Sequence, residues 1–414
     1  MNNGTGEVRD AKTDIIAIAC IGAFPLMATF LEKGVVVLLA VLGLAGLIAA
    51  VRAGQAARLM SRGAWILAAV TLVWIGYCSI DTFNGQPTTA KLLSLAVLVL
   101  LGAGAVWLSR GMPEGARARV LKVLTISGAV SMALIAVAWL IVATGNRQLI
   151  GTNRSDILSL FSAGMVIIAI VSPAVIAHLL AGGRTWQACG FAVAMAVVAA
   201  LSSSNAAVLG IAAMAVAAGL VWKFPRIMPR AIAVACVAGT LLLPGAITLT
   251  IRAIDDGYRP LVDETHATDP DGLAGSFGHR YYIWRFATER AAERPVTGWG
   301  FDSSRAIPGG HETIAIGKEL MPLHPHNATL QIWLELGIPG LVLAAGVLWL
   351  LFRHRLDASG GVADAYVKPL MLLCVCVTWN ATFGLWQSWW LSALALALAV
   401  MFLFERRPGE RTDA

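Results

Sequence analysis

The chain has 414 residues, of which 58% are hydrophobic and only 13% charged. Soluble globular chains are about 45–50% apolar and about 25% charged, so neither a soluble enzyme nor a disordered tail fits. The formal net charge is +7, but Lys and Arg fall in short clusters between apolar runs. That scatter excludes the continuous basic patch of a nucleic-acid-binding protein.

Apolar runs long enough to cross the hydrocarbon core as a helix recur along nearly the whole length. Membrane β-barrel strands alternate apolar and polar residues, which this sequence does not. The fold class is therefore all-α, a polytopic membrane protein. Twelve spans are expected, roughly over 14–31, 34–51, 64–80, 92–109, 123–144, 156–180, 186–201, 206–222, 231–251, 330–352, 367–383 and 389–404. The first begins near Asp14 with no small-residue cleavage site and reads as a retained span. Joints are marked by Glu32-Lys33-Gly34, Asn84-Gly85, Gly182-Gly183-Arg184 and Pro225. Pro25, Pro173, Pro244 and Pro339 fall inside spans, where neighbouring helices can satisfy the freed carbonyls. Cys20, Cys78, Cys189, Cys236, Cys374 and Cys376 all lie in apolar stretches and read as small core residues.

Basic residues set the orientation. With both termini on one side, that side collects 19 of the 31 Lys and Arg, against 12 on the other, 8 of these in one long loop. The richer side is expected to be cytoplasmic. The chain then divides into nine spans over 1–251, a periplasmic loop over 252–327, and three spans with a cytoplasmic tail over 328–414. The location this implies is a bacterial inner membrane.

The loop 252–327 is far longer than any other, and its aromatic residues Tyr281, Tyr282, Trp284, Phe286, Trp299 and Phe301 argue against disorder. It holds five of the seven histidines: His266, His279, His311, His324 and His326. Residues 279–294 read as an amphipathic helix suited to a membrane interface. Tyr281, Trp284, Ala287 and Ala291 lie on one face, and Arg285, Glu289 and Glu293 on another. Pro295 ends it, and Gly298-Trp299-Gly300 turns the chain.

Leu323-His324-Pro325-His326-Asn327 precedes the tenth span, with Asn327 as a helix N-cap. Gln331 and Glu335 continue its polar stripe into an apolar helix, where they must face protein or a water-filled cavity. Arg147 and Arg154 stand in a short outer loop against the positive-inside bias, and Ser202-Ser203-Ser204-Asn205 makes a polar outer turn. Each has a plainer reading beside it. An exposed arginine is ordinarily a solvated charge, a lone histidine a surface residue, and a polar stripe interhelical glue. Asp269-Pro270-Asp271 reads as a turn before it reads as a metal-binding pair. There is no P-loop, nucleophile elbow or HExxH.

Four segments together resemble the O-antigen ligase and polymerase superfamily. They are Arg280-x-x-x-Trp284, Pro295-Val-Thr-Gly298-Trp-Gly300-Phe301, Pro325-His326-Asn327-x-x-Leu330-Gln331 and Glu335-Leu-Gly337-Ile-Pro-Gly340. The resemblance implies transfer of a polysaccharide from undecaprenyl diphosphate to lipid A–core at the periplasmic face, with neither metal nor other cofactor. A polymerase of the same superfamily, using a second lipid-linked glycan as acceptor, is the nearest alternative. The sequence departs from the family where many members carry Ser-Arg-Gly/Ala: here Ser204-Asn205-Ala206 stands. Arg154 or Arg147 can substitute for the missing arginine.

A sugar hydroxyl is a poor nucleophile and needs a base, and a departing diphosphate needs cations. His326 is the expected base and Arg280 the expected phosphate ligand. Arg154, Arg147, Asn205, Trp284, His324, Asn327 and Gln331 are expected to bind substrate. The expected partners are the lipid-linked donor, the lipid A–core acceptor and membrane lipid. A transporter of lipid-linked anions competes. However, transporters gather ionisable groups at the midplane, often in paired repeats, and the polar residues here collect at one face.

Overall fold

The computed structural model describes residues 11–80, 88–110, 112–144, 161–202, 204–257, 273–313, 318–353 and 363–405. Among these are fourteen α-helices. They are α1 (Ala11–Gly22), α2 (Phe24–Phe30), α3 (Gly34–Arg52), α4 (Arg62–Cys78), α5 (Thr88–Arg110), α6 (Glu114–Ala143) and α7 (Ser162–Ala181). There follow α8 (Thr185–Leu201), α9 (Asn205–Lys223), α10 (Met228–Gly257), α11 (Leu273–Glu293), α12 (Ala328–Arg353), α13 (Lys368–Trp379) and α14 (Ser388–Phe402).

Each of the twelve expected spans has its helix, and α11 is the amphipathic one. The chain is a multi-pass membrane protein. Seven helices are long and apolar enough to cross a bilayer singly. The first expected span is a pair, α1 and α2, bent by 42°. Pro25 cannot donate to the carbonyl one turn back, so the helix breaks before it. Helices α4, α8, α13 and α14 are apolar but shorter.

Helix α7 forms the centre. Its run from Ala163 to Val175 is buried on every side. An all-round apolar helix belongs inside a bundle rather than at its edge. It packs on α2, α6, α8, α9, α13 and α14. The outer helices instead expose apolar side chains such as Val73, Val193, Val216 and Leu242. Lipid tails, unlike water, take no penalty from that surface.

Helix α11 begins before the expected residue 279, and its apolar face meets protein instead of an interface. Ile283, Phe286, Ala287 and Ala291 form a buried cluster with Trp299, Ile307, Met321, Leu330 and Leu334. The Tyr281 hydroxyl donates to Asp255 of α10, and Arg285 lies 3.6 Å from the same carboxylate. These contacts fix α11 against α10 and α12. Arg285 also pairs with Glu289, one turn on, at 3.2 Å.

Candidate functional site

The site begins with a broken helix. Pro339 lacks an N–H, and Gly337 interrupts α12 at φ 67°, ψ −168°, backbone that essentially only glycine adopts. Carbonyls there lose their helical donors, and a buried unpaired carbonyl costs about 1–3 kcal/mol. Three donors replace them. Trp299 N–H reaches Leu334 O at 2.9 Å, Gly300 N–H reaches Glu335 O at 3.0 Å, and the Trp74 indole reaches Leu336 O at 3.0 Å. Ile338 N–H turns to Pro295 O at 2.8 Å. The Pro295–Phe301 segment is thus docked on the Glu335–Gly340 break. Backbones approach so closely that a Cβ on Gly298 would lie 2.4 Å from Glu335 C.

Glu335 is fully buried and collects five donors. These are Asp302 N–H (2.8 Å), Ser304 N–H (3.3 Å), Gln331 Nε2 (3.1 Å), the Ser304 hydroxyl and the Trp386 indole. Gln331 Oε1 in turn accepts from Leu385 N–H at 3.0 Å. Asn327 caps α12 as expected, its Oδ1 accepting from Leu330 N–H at 2.9 Å. The side chains of the polar stripe are engaged with protein.

The two histidines sit just before that cap. His326 adopts φ 53°, and its Nδ1 lies 2.8 Å from Thr382 O. A carbonyl only accepts, so Nδ1 carries the proton and Nε2 of the neutral ring holds a lone pair. His326 N–H donates to His324 Nδ1 at 3.2 Å, and the two rings lie 4.3 Å apart. Burial pushes the His324 pKa down to about 3, with the neighbouring charges of His326, Arg305 and Arg280 adding to it. Burial also lowers His326; the bond to Thr382 opposes this, while Arg280 and His279 reinforce it. Both rings are neutral near pH 7.

Arg280 is half-buried, and its Nη2 donates to Ala381 O at 3.0 Å. Trp284, one turn along α11, gives its indole N–H to Pro325 O at 2.8 Å. That contact holds the histidine segment in place. His279 Nε2 lies 2.9 Å from Glu319 O. His311 is exposed and pairs with Glu319 at 3.0 Å. Asn205 is exposed at the start of α9, where Ser204 Oγ meets Ser162 Oγ at 3.0 Å. Arg147, Arg154, His266 and the Asp269–Asp271 pair lie outside the described residues.

One element was missing from the sequence reading. The α13–α14 turn touches the others in order: Ala381 takes Arg280, Thr382 takes His326, and Gly384 packs against the His324 ring. Leu385 then takes Gln331, and Trp386 takes Glu335. Asn380 ties the turn to α12, its Oδ1 accepting from Thr329 N–H at 3.0 Å. The available signal was parity: the joint after the eleventh span must lie on the same side as the long loop.

An apolar cavity of about 1540 Å³ is lined by residues of α1, α3, α4, α5, α12, α13 and α14, and reaches Leu336, Leu385 and Trp386. The Arg280 fork and the neutral His326 imidazole, both tied to the α13–α14 turn, can together bind an anion and deprotonate a hydroxyl.

Residues 190–345 match the family model described as O-antigen ligase. That segment of the chain is thus similar to the O-antigen ligase family. A Rickettsia conorii protein named a "Putative polysaccharide ligase" is 29% identical over 262 residues, 61% of this chain and 59% of the relative. A Rickettsia felis protein of the same name is 29% identical over 253 residues, 59% of this chain and 58% of the relative. The matches thus span under two thirds of these relatives' length. The O-antigen ligase segment contains Arg280, His326 and Glu335, while the α13–α14 turn lies beyond it.

Proposed function

We propose that this chain is a metal-independent polysaccharide ligase. It transfers an O-antigen-type glycan from undecaprenyl diphosphate to a hydroxyl of lipid A–core at the periplasmic face of the inner membrane. The observation that carries this reading is the His326 tautomer beside Arg280. Thr382 holds the Nδ1 proton, which leaves Nε2 as the proton acceptor.

In the proposed reaction the acceptor hydroxyl gives its proton to His326 Nε2 as its oxygen bonds to the anomeric carbon. The bond from that carbon to the phosphate oxygen breaks, and the diphosphate leaves with the electron pair. Arg280 meets the growing charge there with a planar fork that keeps its own charge. A single displacement inverts the anomeric centre. His324, Trp284, Asn327 and Gln331 position the machinery through the contacts above. The apolar cavity suits a polyprenyl chain.

Complementation tests the reading. In cells lacking O-antigen ligase, expression of this chain is expected to restore ladders of glycan attached to lipid A–core on a lipopolysaccharide gel. Altered chain lengths without restored attachment would instead indicate a polymerase.

A further inference from the structure

The turn after Gly300 is built with more care than a surface loop requires. Asp302 stands at φ 56°, a left-handed conformation that disfavours residues with a Cβ. Its N–H, and both the N–H and hydroxyl of Ser304, are clamped on the buried Glu335 carboxylate. This arrangement delivers Arg305. Its guanidinium side chain is 46% exposed and stands 3.6 Å from Asp302 Oδ1, while Lys91 holds Asp302 Oδ2. Two cations therefore share one carboxylate. A long, half-exposed contact of that kind contributes about 0–1 kcal/mol and does not by itself account for the clamp.

The placement has a second side. Trp386 donates to the same Glu335 that grips the Asp302–Ser304 turn. Five residues earlier in the α13–α14 turn, Ala381 accepts from Arg280. Arg305 and Arg280 thus belong to elements fastened to one short template. Both charges depress the His324 imidazole. A lipid diphosphate presents two phosphoryl groups. One guanidinium fork grips the oxygens of one, and an N–H of Arg280 is already committed to Ala381.

We propose that Arg305 is the second phosphate-binding cation of this site, gripping the phosphoryl group of the lipid diphosphate that Arg280 does not reach. The inference rests on the ligase reading above and adds a residue to its substrate contacts.

The test uses the full chain in lipid nanodiscs, with undecaprenyl diphosphate and undecaprenyl monophosphate as the two probes. Wild type is expected to bind the diphosphate more tightly. Arg305→Gln should weaken diphosphate binding roughly tenfold to a hundredfold, as for loss of a charge-assisted contact, and leave monophosphate binding unchanged. Arg305→Lys should fall between, since it keeps the charge and loses the fork. Arg280→Ala serves as the reference. If Arg305→Gln binds the diphosphate like wild type while Arg280→Ala does not, Arg305 is only the partner of Asp302, and the ligase reading stands. Equal losses on both probes would also overturn the assignment to a second phosphoryl group. Failure of wild type to bind the diphosphate would overturn both inferences together.

Discussion

His326 holds a left-handed backbone conformation that costs an ordinary residue about 1–2 kcal/mol. The strained segment is held by Trp284 on Pro325 O, by His324 Nδ1 on His326 N–H, and by Thr382 on the His326 ring. The proposed base is thereby fixed in one tautomer before any substrate arrives. Its lowered pKa sets the sign of the pH dependence. A base works in its neutral form, so transfer falls as pH drops through the folded pKa. That acid limb should lie below about 6.5, the ordinary histidine value. Replacing Arg280 with Gln removes a neighbouring cation and should move the limb upward. His326→Ala should lose roughly 10²–10⁴ in transfer rate while retaining lipid diphosphate. His324→Asn keeps an acceptor for the His326 N–H and should be much milder. Rates against pH, with donor binding measured on the same purified proteins, decide this. Near-normal transfer by His326→Ala removes the base assignment.

At the scale of elements, the break in α12 is the structural core of the site. It converts a spanning helix into a receptor for the loop that precedes it. Pro339 and Gly337 release carbonyls, and Trp299, Gly300 and Trp74 fill them. A Cβ on Gly337 would lie 2.0 Å from Val296 O, in backbone that only glycine tolerates. Gly337→Ala should therefore destabilise the protein by at least about 1–3 kcal/mol and reduce transfer, because both Glu335 and the docked loop shift. Gly63→Ala is the control: it lies on α4 with open space around it and should be neutral or slightly stabilising. Thermal unfolding in detergent distinguishes them. Equal melting temperatures for the two variants would show that the break does not hold the loop.

For the whole molecule, the expectation from twelve spans and one amphipathic helix is that both termini lie on one side, and the basic-residue split predicts that side to be cytoplasmic. A reporter fused after Arg406 should read as cytoplasmic and one inserted near Gly272 as periplasmic; finding both on one side would break the twelve-span topology. The sequence alone determined the helical membrane fold and where each expected span falls along the chain, though not the break between α1 and α2 or the start of α11. Apolar run length and charge bias act locally and need no partner to be read. It also marked Asn327 as a cap and Pro339 as a proline inside a span, because residue chemistry and spacing are one-dimensional facts, and the family resemblance singled out Arg280, His326 and Gly337. Only the tertiary structure decided that α11 lies on protein, that Trp284 braces the histidines, and that residues 381–386 join Arg280, His326, His324, Gln331 and Glu335. Most of those contacts run through backbone carbonyls and N–H groups, which every residue but proline carries alike. No side-chain pattern in the α13–α14 turn could announce them, and they exist only once α12, α13 and α14 stand side by side.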